Sequence, residues 1–199
     1  ELTLITRADR VTPAYPRGAS ASLARALRQR NVHIVTSCPV ARVEQDAVVA
    51  EDGRRFAFDL LVAAIGLAPP PLLRESGLDV DDEGGLRVDG TLRSVSDPRI
   101  FGTGDCISLE GCRLPRLGVF GVREAPILLH NLLASFTGQR LCTYRPQRRW
   151  LTILNLGRGE ALAVWGPCHW RSRASLRLKD WIDRRFLQQY QREIATLRC

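Results

Sequence analysis

Short apolar runs separated by turn signals predict strands through much of the chain. Outside the C-terminal region they are Leu2–Thr6, Val32–Val35, Val40–Val49, the segment around Phe56 and Phe58, Leu86–Val88, and Thr91–Leu92. The sequence E-D-G-R at 51–54 predicts a hairpin turn within this series. Asp59–Ile65 is an unbroken apolar run that ends at Gly66, and the lack of alternation is typical of a strand covered on both faces in a parallel sheet.

Helical periodicity predicts three helices between and after these strands. They are 21–30, capped by Ser20 or Ser22, then about 117–137, with a kink or break at Pro126 and an end at Gly138, and an amphipathic stretch from Ser175 onward. Between the last two, Trp150–Leu156 and Ala161–Trp165 predict a hairpin that turns at 157–159. The mixture of parallel-type runs, hairpins and helices predicts an α/β fold.

Composition narrows the function classes. The chain has 199 residues, 45% of them hydrophobic, which suits one or two domains, and the absence of Met together with the apolar start predicts a fragment of a longer protein. The net charge is +8, and 28 of the 29 basic residues are arginine, but no recognition motif accompanies the charge, so we expect no nucleic-acid partner. Six cysteines without a C-x-x-C pair predict reduced thiols in the cytoplasm and no metal site.

The segment with the most chemical information is Thr91–Cys106, where an apolar strand ends in Gly102-Thr103-Gly104-Asp105 and a helix follows. Glycines allow the backbone to approach a ligand closely. An Asp at the end of a strand is placed to accept hydrogen bonds from sugar hydroxyls, and the next helix offers its positive end to a negative group. The residues alone leave two interpretations open, a nucleotide site and a plain Asp-Gly turn.

At this segment the chain resembles the pyridine nucleotide-disulfide oxidoreductase superfamily, which closes its FAD-binding domain with a strand and Gly-Asp. The resemblance is closest to type II NADH dehydrogenases. It continues over Leu2–Thr6, the Asp52-Gly53 hairpin, Leu60–Gly66, Leu72–Leu78 with Val88-Asp89, and the C-terminal runs from Tyr144 and Lys179, which also resemble a flavoprotein fused to or encoded with selenide, water dikinase.

The resemblance implies partial FAD- and NAD(P)-binding, Rossmann-like domains with a C-terminal hairpin–helix appendage. The implied division is 1–66 for the end of the NAD(P)H domain, 67–143 for the end of the FAD domain, and 144–199 for the appendage. The implied activity is hydride transfer from NAD(P)H to FAD, with electrons passed to an acceptor, quinone first. The cofactor-binding residues are then Gly104, Asp105, Pro115, Gly118 and Val119 for FAD, and Gly66 and Arg7 for the nicotinamide nucleotide.

The sequence also departs from the family pattern. Both G-x-G-x-x-G fingerprints are missing, which predicts weak nucleotide binding by this chain alone. At the end of the first strand, where NAD-specific members often carry an acidic residue, this chain has Arg7, which either pairs with the 2′-phosphate of NADP or is a solvated surface residue. Cys106 is either a redox-active thiol or, the simpler interpretation, a small residue that starts a loop, and Cys112 is a weaker candidate. We assign no catalytic residue.

The C-terminal helix offers an alternative function. Residues 170–199 carry eight basic and three acidic side chains beside an apolar face that includes Trp181, Phe186 and Tyr190. Such a helix suits the surface of an anionic membrane, the body of the protein, or a fused partner domain. The rival hypothesis is therefore a non-catalytic module that docks a membrane or partner. The resemblance predicts a bacterial protein in the cytoplasm or peripheral to the inner face of the membrane.

Overall fold

The computed structural model describes residues 1–196, with side chains up to residue 188, and contacts divide it into two compact units. The strands are β1 (Leu2–Ile5), β2 (Val32–Val35), β3 (Val40–Val43), β4 (Ala47–Ala50), β5 (Arg55–Ala57), β6 (Leu86–Val88), β7 (Ile107–Leu109), β8 (Leu151–Gly157), β9 (Glu160–Trp165) and β10 (Cys168–Ser172). The helices are α1 (Arg17–Arg28), α2 (Leu72–Glu75), α3 (Gly118–Thr137) and α4 (Arg173–Thr196). The mixed α/β class predicted from the sequence is confirmed.

The first unit joins Glu1–Leu61 with the C-terminal segment that starts at Arg149. Strands β1 and β2 pair in parallel, while β3–β4–β5 and β8–β9–β10 are antiparallel three-stranded sheets. Helix α1 contacts β2, β9 and β10, and its Ala19 is buried in a core with Leu162 and Val164 of β9. Small residues on α1 therefore allow the helix to lie close to the C-terminal sheet.

The second unit, Val62–Arg148, holds the Gly-Asp segment. Its core contains Leu86 and Val88 of β6, Leu109 of β7, Leu92 and Tyr144. Strands β6 and β7 pair in parallel, and residues 89–106 connect the end of β6 to the start of β7. The division into 1–66, 67–143 and 144–199 stays a prediction about domains.

The predicted strand over Asp59–Ile65 is wrong. The last backbone hydrogen bond before it runs from the Phe58 N–H to the Asp46 carbonyl, and residues 59–70 form no strand. Leu60 is 82% exposed and Ile65 is 92% exposed. A strand of this kind requires backbone partners at its sides and cover on both faces, and the described residues provide neither.

Three smaller predictions are also corrected. Helix α1 begins at Arg17 after Pro16, without a side-chain cap, because the Ser20 hydroxyl bonds to the Val11 carbonyl instead. Residues 91–92 form a turn, because the Asp89 carboxylate accepts the N–H and hydroxyl of Thr91, at 2.8 and 2.6 Å. Helix α3 continues through Pro126, so the predicted break is absent, while the kink stays a prediction.

Candidate functional site

The Gly-Asp segment forms a tight turn in the second unit. Thr103 is extended, and Gly104–Cys106 form a single 3-10 turn that leads directly into β7. Gly104 has φ +73°, a conformation that side chains with a Cβ rarely adopt. At Gly102 a Cβ would lie 2.6 Å from the Cγ2 atom of Ile107, so glycine is the residue that fits there. The backbone conformation and packing of the turn therefore explain both glycines of the motif.

Helix α3 packs directly on this turn. A Cβ on Gly121 would lie 3.2 Å from the Gly104 Cα atom, so the helix and turn backbones approach closely. One helical turn later, Oε2 of Glu124 accepts the Thr103 hydroxyl at 2.8 Å and the Gly104 N–H at 2.7 Å. Sequence reasoning missed Glu124, although a charged residue four positions after Phe120 on a buried helical stripe was the available signal.

A cleft lies between this turn, β7 and the start of α3. We refer to it as the Asp105 cleft. Its lining residues are Asp81, Glu83, Gly104, Asp105, Ile107, Ser108, Leu109, Cys112, Arg113, Leu114, Pro115, Arg116, Phe120 and Glu124. The Asp105 side chain is half-buried and forms no hydrogen bond or ion pair with the described residues, so its carboxylate is available to a ligand.

The N-terminus of α3 lies next to the residues that line the cleft. Leu117 occupies the N-cap position, its side chain offers no acceptor, and the first turn holds no acidic residue. The Phe120 N–H donates to the Leu117 carbonyl at 3.0 Å, which leaves the N–H groups of Gly118 and Val119, at the start of the helix, to bind an anionic or carbonyl group. Gly118 has no atom within 4 Å of where a Cβ would stand, which leaves this helix end open.

The charged side chains at the rim are paired with one another. Glu83 bonds to Arg116 at 2.6 Å and to Arg113 at 2.5 Å, and these two arginines hold the pKa of the Glu83 carboxyl below its usual value. Arg116 also donates from Nε to the Asp105 carbonyl at 3.1 Å. Burial raises the pKa of Asp81, but hydrogen bonds, chiefly from the Gly85 N–H and the Ser108 side chain, outweigh it and the net shift is downward.

Some of the other residues predicted to bind a cofactor lie at the Asp105 cleft, and others do not line it. Pro115 lines the Asp105 cleft, while Gly118 and Val119 begin α3 immediately beyond it. Gly66 is exposed with φ +100° and Arg7 is exposed in the loop after β1, and neither lines this cleft. The turn and helix residues are thus brought together, and the two nicotinamide candidates are not part of that group.

The cysteines of the described residues are all free thiols. The Cys106 thiol donates to the Thr103 carbonyl at 3.2 Å, within the same turn. Cys112 is exposed and lines the cleft. The contact of Cys106 suits a small residue that completes the turn, and its redox role stays a hypothesis.

The Asp105 cleft fits the FAD implied by the sequence. A free carboxylate suits the hydroxyls of the ribityl chain, and an uncapped helix N-terminus suits the carbonyl edge of the flavin pyrimidine ring. Space in front of Gly104, where a Cβ would meet no atom within 4 Å, allows a ligand to approach the backbone. The residues present therefore match the donor and acceptor pattern that this cofactor requires.

Comparison with known proteins gives relatives of one type. The nitric oxide reductase FlRd-NAD(+) reductase of Aeromonas hydrophila is 35% identical over 86% of this chain and 46% of its own length. The type II NADH:quinone oxidoreductase of Haemophilus influenzae is 24% identical over 73% of this chain and 34% of its own length. The chain thus spans less than half the length of these curated relatives.

A solved structure gives the same result. An FAD-dependent pyridine nucleotide-disulphide oxidoreductase from Desulfovibrio vulgaris superposes with a TM-score of 0.65 at 26% identity, over 81% of this chain and 41% of that one. The names of these relatives include NAD(+), NADH and FAD, in agreement with the predicted cofactors. Residues 1–129 match the sequence model of the pyridine nucleotide-disulphide oxidoreductase family. The chain belongs to the pyridine nucleotide-disulphide oxidoreductase family.

Proposed function

We propose that the protein containing this chain oxidises NAD(P)H through FAD and passes the electrons to an acceptor. The observation that carries the proposal is the free Asp105 carboxylate in a cleft beside the uncapped N-terminus of α3. When bound, FAD supplies a ring that takes a hydride from the nicotinamide and releases electrons singly or in pairs. Binding and orienting that ring is the work of the protein.

In this proposal each residue of the cleft has a separate task. Asp105 accepts hydrogen bonds from the ribityl hydroxyls, and Gly104 gives the cofactor access to the backbone. The start of α3, with Pro115, Gly118 and Val119, faces the pyrimidine edge, where its positive end stabilises negative charge on the ring. Gly66 and Arg7 remain candidates for the nicotinamide nucleotide. Arg7 forms no ion pair with the described residues, so it is available to a 2′-phosphate.

Quinone is the acceptor that we propose first, by analogy with the Haemophilus influenzae relative, whose name states it. The Aeromonas hydrophila relative, at the higher identity of 35%, is named for a protein acceptor, and a redox protein is therefore the second candidate. A partner encoded with or fused to this protein, selenide, water dikinase, remains a proposal from the resemblance alone.

The proposal is tested on the protein at the full length that its gene encodes. We expect flavin absorption bands that bleach when NADH or NADPH is added without oxygen. The nucleotide that bleaches the bands faster is the preferred hydride donor. Subsequent addition of a soluble quinone or an oxidised redox protein identifies the acceptor by the return of the bands. A protein that binds no flavin after incubation with FAD would contradict the proposal.

A second candidate function, docking to an anionic membrane surface, rests on α4. Trp181 and Leu187 are each 58% exposed, and Arg173, Arg177 and Arg184 on the same helix are also exposed. No helix in the described part of the chain has the length and apolarity that spanning a membrane requires. Tyr190, part of the predicted apolar face, lies outside the residues with described side chains.

The membrane proposal predicts binding to vesicles that contain an anionic lipid, weaker binding in high salt, and weaker binding of a Trp181→Ala, Leu187→Ala variant. A Gln188→Ala variant, also exposed on α4, serves as the control. Equal binding to neutral and anionic vesicles, or no binding to either, would contradict the membrane proposal.

A further inference from the structure

The function proposed above does not use Glu124, a buried carboxylate at the wall of the Asp105 cleft. Its side chain lies on α3 and the residue is 1% exposed. Both of its hydrogen bonds are made by Oε2, which accepts the Thr103 hydroxyl at 2.8 Å and the Gly104 N–H at 2.7 Å. Glu124 therefore connects α3 to the residue that precedes Asp105.

Burial of a carboxylate is costly unless partners compensate for the lost water. No Arg, Lys or His of the described residues forms an ion pair with Glu124, so two neutral donors carry the compensation. An apolar residue would fill this position on the helix at lower cost. The presence of an acid in the wall of a ligand cleft is thus better explained by what it does to the cleft than by stability.

We propose that Glu124 is a positioning residue of the flavin site, which fixes the Thr103–Asp105 turn and also places a negative charge in the wall of the cleft. The proposal rests on the flavin function proposed above. Its first part follows from geometry, because the two hydrogen bonds hold the backbone at Gly104, directly before the Asp105 carboxylate. Loss of these bonds frees the turn and misplaces Asp105.

The second part follows from charge. Glu124 carries a formal negative charge and lines the Asp105 cleft. Burial raises the pKa of Tyr144, and the negative charge of Glu124 raises it further. A negative charge in the cleft wall opposes the positive end of α3 and disfavours the reduced, anionic flavin. We therefore expect Glu124 to lower the midpoint potential of the flavin.

Two substitutions separate these parts. In Glu124→Gln the amide oxygen keeps the hydrogen bonds while the charge is lost. In Glu124→Ala both are lost. Glu75→Gln, at an exposed site on α2, changes the net charge by the same amount and serves as the matched control. The measurements, on the protein at its full encoded length, are the FAD dissociation constant and the midpoint potential of the bound flavin.

We expect Glu124→Gln to bind FAD within about threefold of the unmodified protein and to raise the potential by about 30 mV or more, a tenfold change for a two-electron couple. Glu124→Ala is expected to bind FAD at least tenfold more weakly, and Glu75→Gln to change neither quantity. An unchanged potential in Glu124→Gln, or unchanged binding in Glu124→Ala, overturns this proposal alone. Failure of the unmodified protein to bind FAD overturns the proposed function and this proposal together.

Discussion

At the scale of single residues, the second unit depends on one buried amide. Asn131 is fully buried on α3, and its Nδ2 donates to the carbonyls of Thr91 and Cys142, at 2.7 and 2.8 Å. Its Oδ1 accepts the Cys142 N–H at 2.7 Å. The side chain thus joins the helix to two irregular segments whose backbone groups have no strand to satisfy them.

Replacing Asn131 by Ala leaves those three backbone groups without their partner. At roughly 1 kcal/mol for each bond, we expect the free energy of unfolding to fall by about 3 kcal/mol. Urea unfolding followed by far-ultraviolet circular dichroism, to which the 20-residue helix α3 contributes, measures the change. Ser135→Ala, at an exposed site on the same helix, should cost less than about 0.5 kcal/mol. If the two variants unfold alike, the amide is not the link that we describe.

At the scale of elements, the contact between α3 and the Gly104 turn decides the shape of the cleft. Gly121→Ala places a methyl group 3.2 Å from the Gly104 Cα atom, so the helix and turn must separate by a few tenths of an ångström. We expect a loss of about 1 kcal/mol of stability, at the low end of the cost of overpacking, and weaker FAD binding.

Gly118→Ala is the matched control for stability, because no atom lies within 4 Å of the new methyl group. Ala is also the better helix former by about 1 kcal/mol in a helix interior, so stability should hold or rise slightly. Thermal unfolding of both variants compares the two sites directly. A Gly121→Ala protein as stable as the Gly118→Ala protein would show that the approach of helix and turn is not tight.

Elements whose signals are local were predicted from the sequence, and elements that depend on distant partners were not. Strand β2, the turn between β4 and β5, and the end of α3 at Gly138, where φ is +66°, all follow from residues next to one another. The C-terminal hairpin was predicted as well, but its third strand, β10, was missed because the alternation in C-H-W-R-S includes only two apolar residues, Cys168 and Trp170.

The failures have the same physical origin. Helix α3 continues past Pro126, where the carbonyl that loses its partner belongs to Val122, a residue that is 44% exposed. Asp59–Ile65 has the composition of a buried strand, but composition does not supply neighbouring strands. In the site, the Gly104-Asp105 motif was predicted from adjacent residues. The hydrogen bonds of Glu124 were not, because they depend on which face of α3 packs against Thr103.

At the scale of the whole molecule, exposed apolar side chains are the most unusual feature. Val62 is 77% exposed, Ile65 92% and Phe136 87%, and Leu129 and Leu133 of α3 are each 60% exposed. Monomeric proteins seldom leave so many large apolar groups in water, and an unpaired apolar segment invites association.

We therefore expect the 199-residue chain alone to associate in a concentration-dependent way. Sedimentation velocity measures this, and an Ile65→Lys, Phe136→Lys variant should associate less. Ser135→Lys adds a positive charge without removing apolar surface and controls for simple repulsion. A 199-residue chain that remains monomeric at all accessible concentrations would contradict the expectation.

The central claim is that the Asp105 cleft binds a flavin, and the most direct test is an FAD titration. The protein at its full encoded length is compared with Asp105→Ala and with Asp82→Ala, an exposed acid that does not line the cleft. A lost charge-assisted hydrogen bond of about 1.5 to 3 kcal/mol predicts FAD binding weaker by roughly 10- to 150-fold in Asp105→Ala. Binding by Asp82→Ala should be unchanged. Equal affinity in all three proteins, or no binding by any, would contradict the account.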